Sequence, residues 1–174
     1  MSGVPLHDVW AVDLNKPRSG ITLEAFLRRS KGQPFKLSPA VRALLAIRFF
    51  IGGIFGWDRT QAGITATFAD RLTPQDRAQT LVAPGSKDGP FSIVYRFENE
   101  QLSELVNQTA HAAALSALVE NQNGYRYYFA VYVRNVGRLT PFYMTLIDPF
   151  RKLVVYPSLL RSVRTRWERA LAEN

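Results

Sequence analysis

The 174-residue chain contains no cysteine. That excludes disulfides, thiolate nucleophiles and cysteine-ligated zinc or iron–sulfur centres. His7 and His111 are the only imidazoles, and no spacing groups carboxylates with either, so neither a metal nor a cofactor is expected. Signatures of common chemistry are missing too: no phosphate-cradling glycine loop with lysine, no nucleophile elbow, no His-Glu-x-x-His and no calcium loop. The glycines of Ile51–Gly56 have the wrong spacing for phosphate and read as close packing or helix termination. Long apolar runs are absent as well. Val41–Trp57 is interrupted by Arg42 and Arg48, and its unbroken part, Phe49–Trp57, falls far short of the roughly 20 residues a bilayer span needs. Met1–Trp10 has neither a basic start nor an apolar run, so no secretory signal is expected and cytoplasmic residence is the default.

What is present is a chain of one domain's usual size with 47% apolar residues, enough for a core without staples. A single domain over residues 1–174 is expected. Formal net charge is +8 with a pI of about 10.1, carried by 17 arginines and five lysines. Such a balance admits anionic partners, although a solvated basic surface explains it equally. The C-terminal third concentrates the charge, with Arg138, Arg151, Lys152, Arg161, Arg164, Arg166 and Arg169 against Asp148, Glu168 and Glu173.

Periodicity organises the chain. His7–Leu14 alternates as a first strand. Thr22 caps a short amphipathic helix through Leu23, Phe26 and Leu27, and Ser38 with Pro39 opens a second helix whose buried stripe is Val41, Leu44, Leu45, Ile47 and Ile51. From Trp57 to Arg138 the period is two, with strands expected at Ile64–Phe68, Gln79–Val82 and from Phe91 onward. Phe91, Ile93, Tyr95 and Phe97 are expected to share one face, and Glu98–Glu100 to turn into a strand over Gln101–Asn107. The firmest hairpin is His111–Glu120 with Tyr125–Arg134, joined at Asn121–Gly124, where Asn-Gly takes positive φ readily. Thr140 and Pro141 then open a C-terminal helix that Pro149 and Pro157 should kink or divide. This order predicts an α+β helix-grip fold: a curved antiparallel sheet wrapped around a long C-terminal helix, with two helices after the first strand. A bent sheet cannot press flat on one helix, and the gap is often an apolar cavity.

The stretches "VRALLAIRFFIGGIFG" (Val41–Gly56), "VRNVGRLTPFYMTLIDPFRKLVVYPSLL" (Val133–Leu160) and "HDVWAVDL" (His7–Leu14) resemble an uncharacterised bacterial domain-of-unknown-function family, numbered 2867. The resemblance covers most of the chain and carries no catalytic residues. More distantly, the element order is similar to the START and polyketide-cyclase helix-grip superfamily, whose members bind lipids, quinones and other apolar ligands and sometimes catalyse. That likeness is at the level of fold.

The ligand-binding candidates follow from these patterns. Tyr95, Phe97, Tyr127 and Phe129 should line the interior, where tyrosine hydroxyls need partners or a ligand. Arg48 is a charge inside an apolar helix, available to an acidic headgroup, and His111 begins a strand as a conceivable acid/base at a cavity mouth. His7 and Asp8 are adjacent, but neighbours on a regular strand point to opposite faces. The leading expectation is non-catalytic binding of an apolar or amphipathic, lipid-like small molecule between sheet and C-terminal helix. Two alternatives stand beside it: a cofactor-independent cyclase or hydratase, and peripheral contact of the basic C-terminal helix with anionic lipid or nucleic acid. Catalytic residues, ligand identity and oligomeric state do not follow from the sequence.

Overall fold

A computed structural model describes residues 4–15, 20–29, 39, 41–43, 46, 67–106, 111–134, 145 and 148–172. Its longest pairing is the hairpin of β5 (His111–Asn121) and β6 (Gly124–Arg134), from His111 opposite Arg134 to Asn121 opposite Gly124. Its turn closes differently from the expectation at Asn123. No described residue other than glycine has a positive φ. Instead the Asn123 N–H donates to Asn121 Oδ1 at 3.0 Å, an Asx turn in which the side chain does the bending.

Around this hairpin the sheet grows outward on both sides. β1 (Leu6–Asn15) pairs with β6, while β4 (Glu100–Val106), β3 (Phe91–Arg96) and β2 (Lys87–Asp88) follow from β5. The order is β1-β6-β5-β4-β3-β2, with every neighbour antiparallel. Two irregularities matter. Register shifts between Leu6 and Asp8 in β1, and between Ile93 and Tyr95 in β3. Each inserts one extra residue, His7 and Val94, and so reverses the faces of the residues beyond it.

Helix α1 (Leu23–Arg29) starts where Thr22 Oγ1 accepts from Ala25 N at 3.1 Å, as a cap should. The second helix expected from Ser38 lies largely outside the described residues; within them, Val41–Ala43 is helical and Val41 is buried. The strands expected at Ile64–Phe68 and Gln79–Val82 need correction. Thr67 and Phe68 lead into a 3₁₀ turn, Ala69–Arg71, while 64–66 lie outside the described residues. Thr73, Pro74 and Asp76 form a capping box with proline at the helix start, giving α2 (Pro74–Gln79). Those residues are a helix-start signature rather than a break between strands. Beyond α2 the chain is tied to the end of β3 without forming a strand: the Arg96 N–H donates to Thr80 Oγ1 at 2.8 Å and the Leu81 N–H to the Arg96 carbonyl at 2.7 Å.

The C-terminal helix departs from α geometry where the prolines predicted a disturbance. Arg151–Val155 is a π turn and α3 (Tyr156–Ala172) continues from it. Pro157 has no N–H to give Leu153, and here the Tyr156 N–H reaches back five residues to the Arg151 carbonyl, which is the π pattern. Val163, Trp167 and Ala170 of α3 are buried with Leu14, Leu118, Tyr125, Tyr127 and, from α1, Leu23 and Phe26. Trp167 lies 5.4 Å from Phe26 and 5.2 Å from Tyr125, centroid to centroid. Its Nε1 donates to the Asn15 carbonyl at 2.8 Å, and Arg164 reaches the Asp13 carbonyl. Thus α3 covers the last turn of the β1 edge, which would otherwise present unpaired backbone groups. Val4, Phe68, Ala69, Val94, Leu102 and Ala113 form a second core on the opposite side of the sheet. The architecture is α+β, an antiparallel sheet gripping a C-terminal helix. No helix among the described residues is long and apolar enough to cross a membrane.

Candidate functional site

Residues paired across antiparallel strands share a face, so the register defines rows of side chains running across the sheet. One row on the α3 side is Arg96, Gln101, Ser116, Phe129 and Trp10, from β3 to β1. The next is Ile93, Ser103, Ala114, Val131 and Asp8. Neighbouring strands are about 4.8 Å apart, so a row spans roughly 19 Å. Its two ends differ in chemistry. At the β1 end, Tyr156 of α3 packs its ring 5.2 Å from Trp10 and 6.1 Å from Phe129. At the β3 end, Arg96 Nε donates to Gln101 Oε1 at 2.6 Å, and Gln101 Nε2 donates to Ser103 Oγ at 2.9 Å. Between them Ser116 Oγ and Tyr127 Oη share a hydrogen bond of 2.8 Å. Burial pushes the Tyr127 hydroxyl's pKa up, against the pull of Ser116, so it stays protonated.

The sheet is not evenly covered on this side. Leu118, Tyr125 and Tyr127, beneath α3, are buried. Ala114, Ser116, Phe129 and Val131, in the two central strands, are only half-buried. Short side chains at Ser103, Ala114 and Ser116 lower the floor there.

A charged network closes the β1 end. Arg151 donates to Asp8 Oδ2 at 2.6 Å and to Asp148 Oδ1 at 3.2 Å. The Tyr156 hydroxyl lies 3.1 Å from Asp8 Oδ2 and accepts from Arg151 Nε at 2.9 Å. His7 Nε2 lies 3.0 Å from Asp148 Oδ1, and Lys152 Nζ lies 3.1 Å from Asp148 Oδ2. The two distortions of the chain build this cluster. The extra residue in β1 brings His7 to the side of Asp8, with His7 Nε2 at 3.7 Å from Asp8 Oδ2, which corrects the expectation that these neighbours diverge. The π turn sets Arg151 and Tyr156, five residues apart, side by side.

One ligand atom each from His7, Asp8 and Asp148 lie within 4.8 Å of one another. The positive charge such a site would take from a cation is already supplied by Arg151 and Lys152, both in contact with the carboxylates. The arrangement is an ion-pair network rather than a metal cage. Nor is Tyr156 placed to give up its proton near neutrality: burial pushes its pKa up to about 12, with Arg151 pulling the other way.

The residues singled out by sequence fall into separate groups. Tyr127 and Phe129 belong to the α3 side. Tyr95 packs against the opposite core with Leu115 and Tyr132 and stacks on Phe97 at 4.5 Å. The expectation that Tyr95 shares the face of Ile93 is corrected: the inserted Val94 pairs Tyr95 with Leu102 instead of leaving it in step. Arg48 lies outside the described residues. His111 is on the opposite side from α3, 1% exposed, with Nε2 3.1 Å from Glu104 Oε2. The same oxygen accepts from the Phe68 N–H at 2.8 Å, and the Phe68 ring stacks on the imidazole at 4.1 Å. A carboxylate only accepts, so Nε2 carries the hydrogen; Nδ1 is buried with no partner. Sequence reading missed Trp10, Gln101, Ser103, Ser116 and Tyr156. Only the strand pairing identifies them, apart from Trp10, whose size alone was a signal.

Residues 1–158 match the family described as "Protein of unknown function (DUF2867)". No curated protein and no solved structure matches the chain.

Proposed function

We propose that this chain, which belongs to the DUF2867 family, holds an amphipathic small molecule against the α3 side of its sheet. The observation that carries the reading is the half-buried row Ala114, Ser116, Phe129 and Val131. Central strands of a six-stranded sheet ordinarily lose their surface to the layer packed on them. Here that surface is retained between an aromatic end, Trp10 with Phe129 and Tyr156, and a polar end, Arg96 with Gln101 and Ser103. Concave sites with apolar walls and a few fixed polar groups are the usual form of small-molecule sites. The ligand would lie along the row, its apolar part at the β1 side.

Native mass spectrometry of the purified protein, followed by solvent extraction, should reveal a stoichiometric small molecule. Ala114→Phe sharpens the test. If the space belongs to a ligand, the substitution abolishes co-purification and leaves the unfolding midpoint level or raised. A clean apo mass, together with a loss of about 1–3 kcal/mol in Ala114→Phe from overpacking, would show that the space is filled by protein and sink the reading.

A further inference from the structure

The polar end of the row has a direction. A guanidinium can only donate, so the contact of Arg96 Nε with Gln101 Oε1 fixes which way the amide points. Its nitrogen then faces Ser103 and donates to the hydroxyl oxygen. Ser103 has spent its oxygen as an acceptor there; its own hydrogen remains, on a side chain 7% exposed, with no acceptor among the described residues. The second amide hydrogen of Gln101, itself 8% exposed, is in the same position. Ser116 and Tyr127 hold two hydroxyl hydrogens and use one of them between each other, which leaves another donor. Every uncommitted group at this end is therefore a donor, and Arg96 adds a positive charge.

No carboxylate offsets it nearby. Glu100 and Glu104 alternate with Gln101 and Ser103 along β4 and project from the other side of the sheet, Glu104 toward Phe68 and His111. Asp8 is three strands from Ser103 in its row, about 14 Å away, and is committed to Arg151. Buried donors without acceptors are costly, and a ligand that brings acceptor oxygens relieves that cost.

We infer that Arg96, Gln101 and Ser103 form a binding site for the carboxylate of an amphipathic organic acid, whose apolar part extends toward Phe129 and Trp10. This rests on the small-molecule reading above and names the ligand class for it. The span from Gln101 to Phe129 is two strand spacings, about 10 Å, which suits a medium-length chain or an arylalkyl group.

Calorimetric titration of the full chain with decanoate, decanol and decylamine, after removal of any co-purified molecule, tests the inference. Decanoate should bind about tenfold or more tightly than decanol, as expected for hydrogen bonds to a charged acceptor, and decylamine should bind weakest. Ser103→Ala and Arg96→Met should each weaken decanoate by about tenfold and leave decanol within about twofold. Comparison of the three probes on the unaltered protein needs no variant to fold. Equal affinities, preference for the amine, or variants that leave decanoate unaffected would overturn the carboxylate assignment while leaving the small-molecule reading in place. Binding of none of the three, with a clean apo mass, would overturn both.

Discussion

The two histidines of this protein each meet a carboxylate at nearly one distance, 3.1 Å for His111 with Glu104 and 3.0 Å for His7 with Asp148. Their surroundings separate them. His111 and Glu104 side chains are 1% and 4% exposed, whereas His7 and Asp148 are 28% and 24% exposed. In the first pair the carboxylate is the sole acceptor for a buried backbone N–H as well as the ring, and so joins β4, β5 and the 3₁₀ turn at Phe68. In the second, water competes with every contact, and Arg151 and Lys152 already share Asp148. Contact distance alone says little about what a pair contributes; the alternative partners on offer decide it.

Breaking the buried pair should have the largest effect. Glu104→Ala leaves the Phe68 N–H and the His111 ring N–H without an acceptor, and urea unfolding should show a loss of about 3–5 kcal/mol. A loss below about 1 kcal/mol would mean that the 3₁₀ turn finds other partners. Arg151→Ala is intermediate. It strips Asp8, whose side chain is largely buried, of its guanidinium and leaves only Tyr156, at an expected cost of about 1–3 kcal/mol.

Least should come from His7→Ala, within about 1 kcal/mol at neutral pH. Its signature lies in acid. Desolvation raises the Asp148 pKa, but the hydrogen bonds from His7 and Lys152 with the charges of His7 and Arg151 outweigh it, and the net value is lowered from 3.8. A depressed folded-state pKa stabilises the protein above the unfolded value and loses that contribution as pH falls through the folded one. Stability should therefore drop below about pH 4, and His7→Ala should flatten part of that drop. An unchanged acid limb in a pH series of unfolding curves would detach His7 from Asp148.

How much of this was readable beforehand depends on the range of the cause. The β5–β6 hairpin, the Thr22 cap and the disturbance near Pro157 are local, and strand alternation, a capping hydroxyl and a missing N–H announce each. The capping box at Thr73–Asp76 was equally local, but flanking apolar residues made it look like a gap between strands. The candidate site was less legible because two bulges govern it. An extra residue at His7 or Val94 is a property of how two strands pair, and neither leaves a mark in its own strand. That is why Tyr95 changes sides and why His7 meets Asp8. Gln101, Ser103 and Ser116 look like ordinary polar positions until the register aligns them with Phe129 and Trp10.

The π turn at Arg151–Val155 has a consequence for how this chain tolerates length changes. It holds one residue more than an α-helix would use, and each residue of an α-helix advances about 100° around the axis. Deleting one residue there would regularise the helix locally yet swing Val163, Trp167 and Ala170 out of phase with Asp8 and Arg151. The spare residue indexes the charged end of the helix against its core stripe, so an apparent irregularity keeps two distant halves of one element aligned.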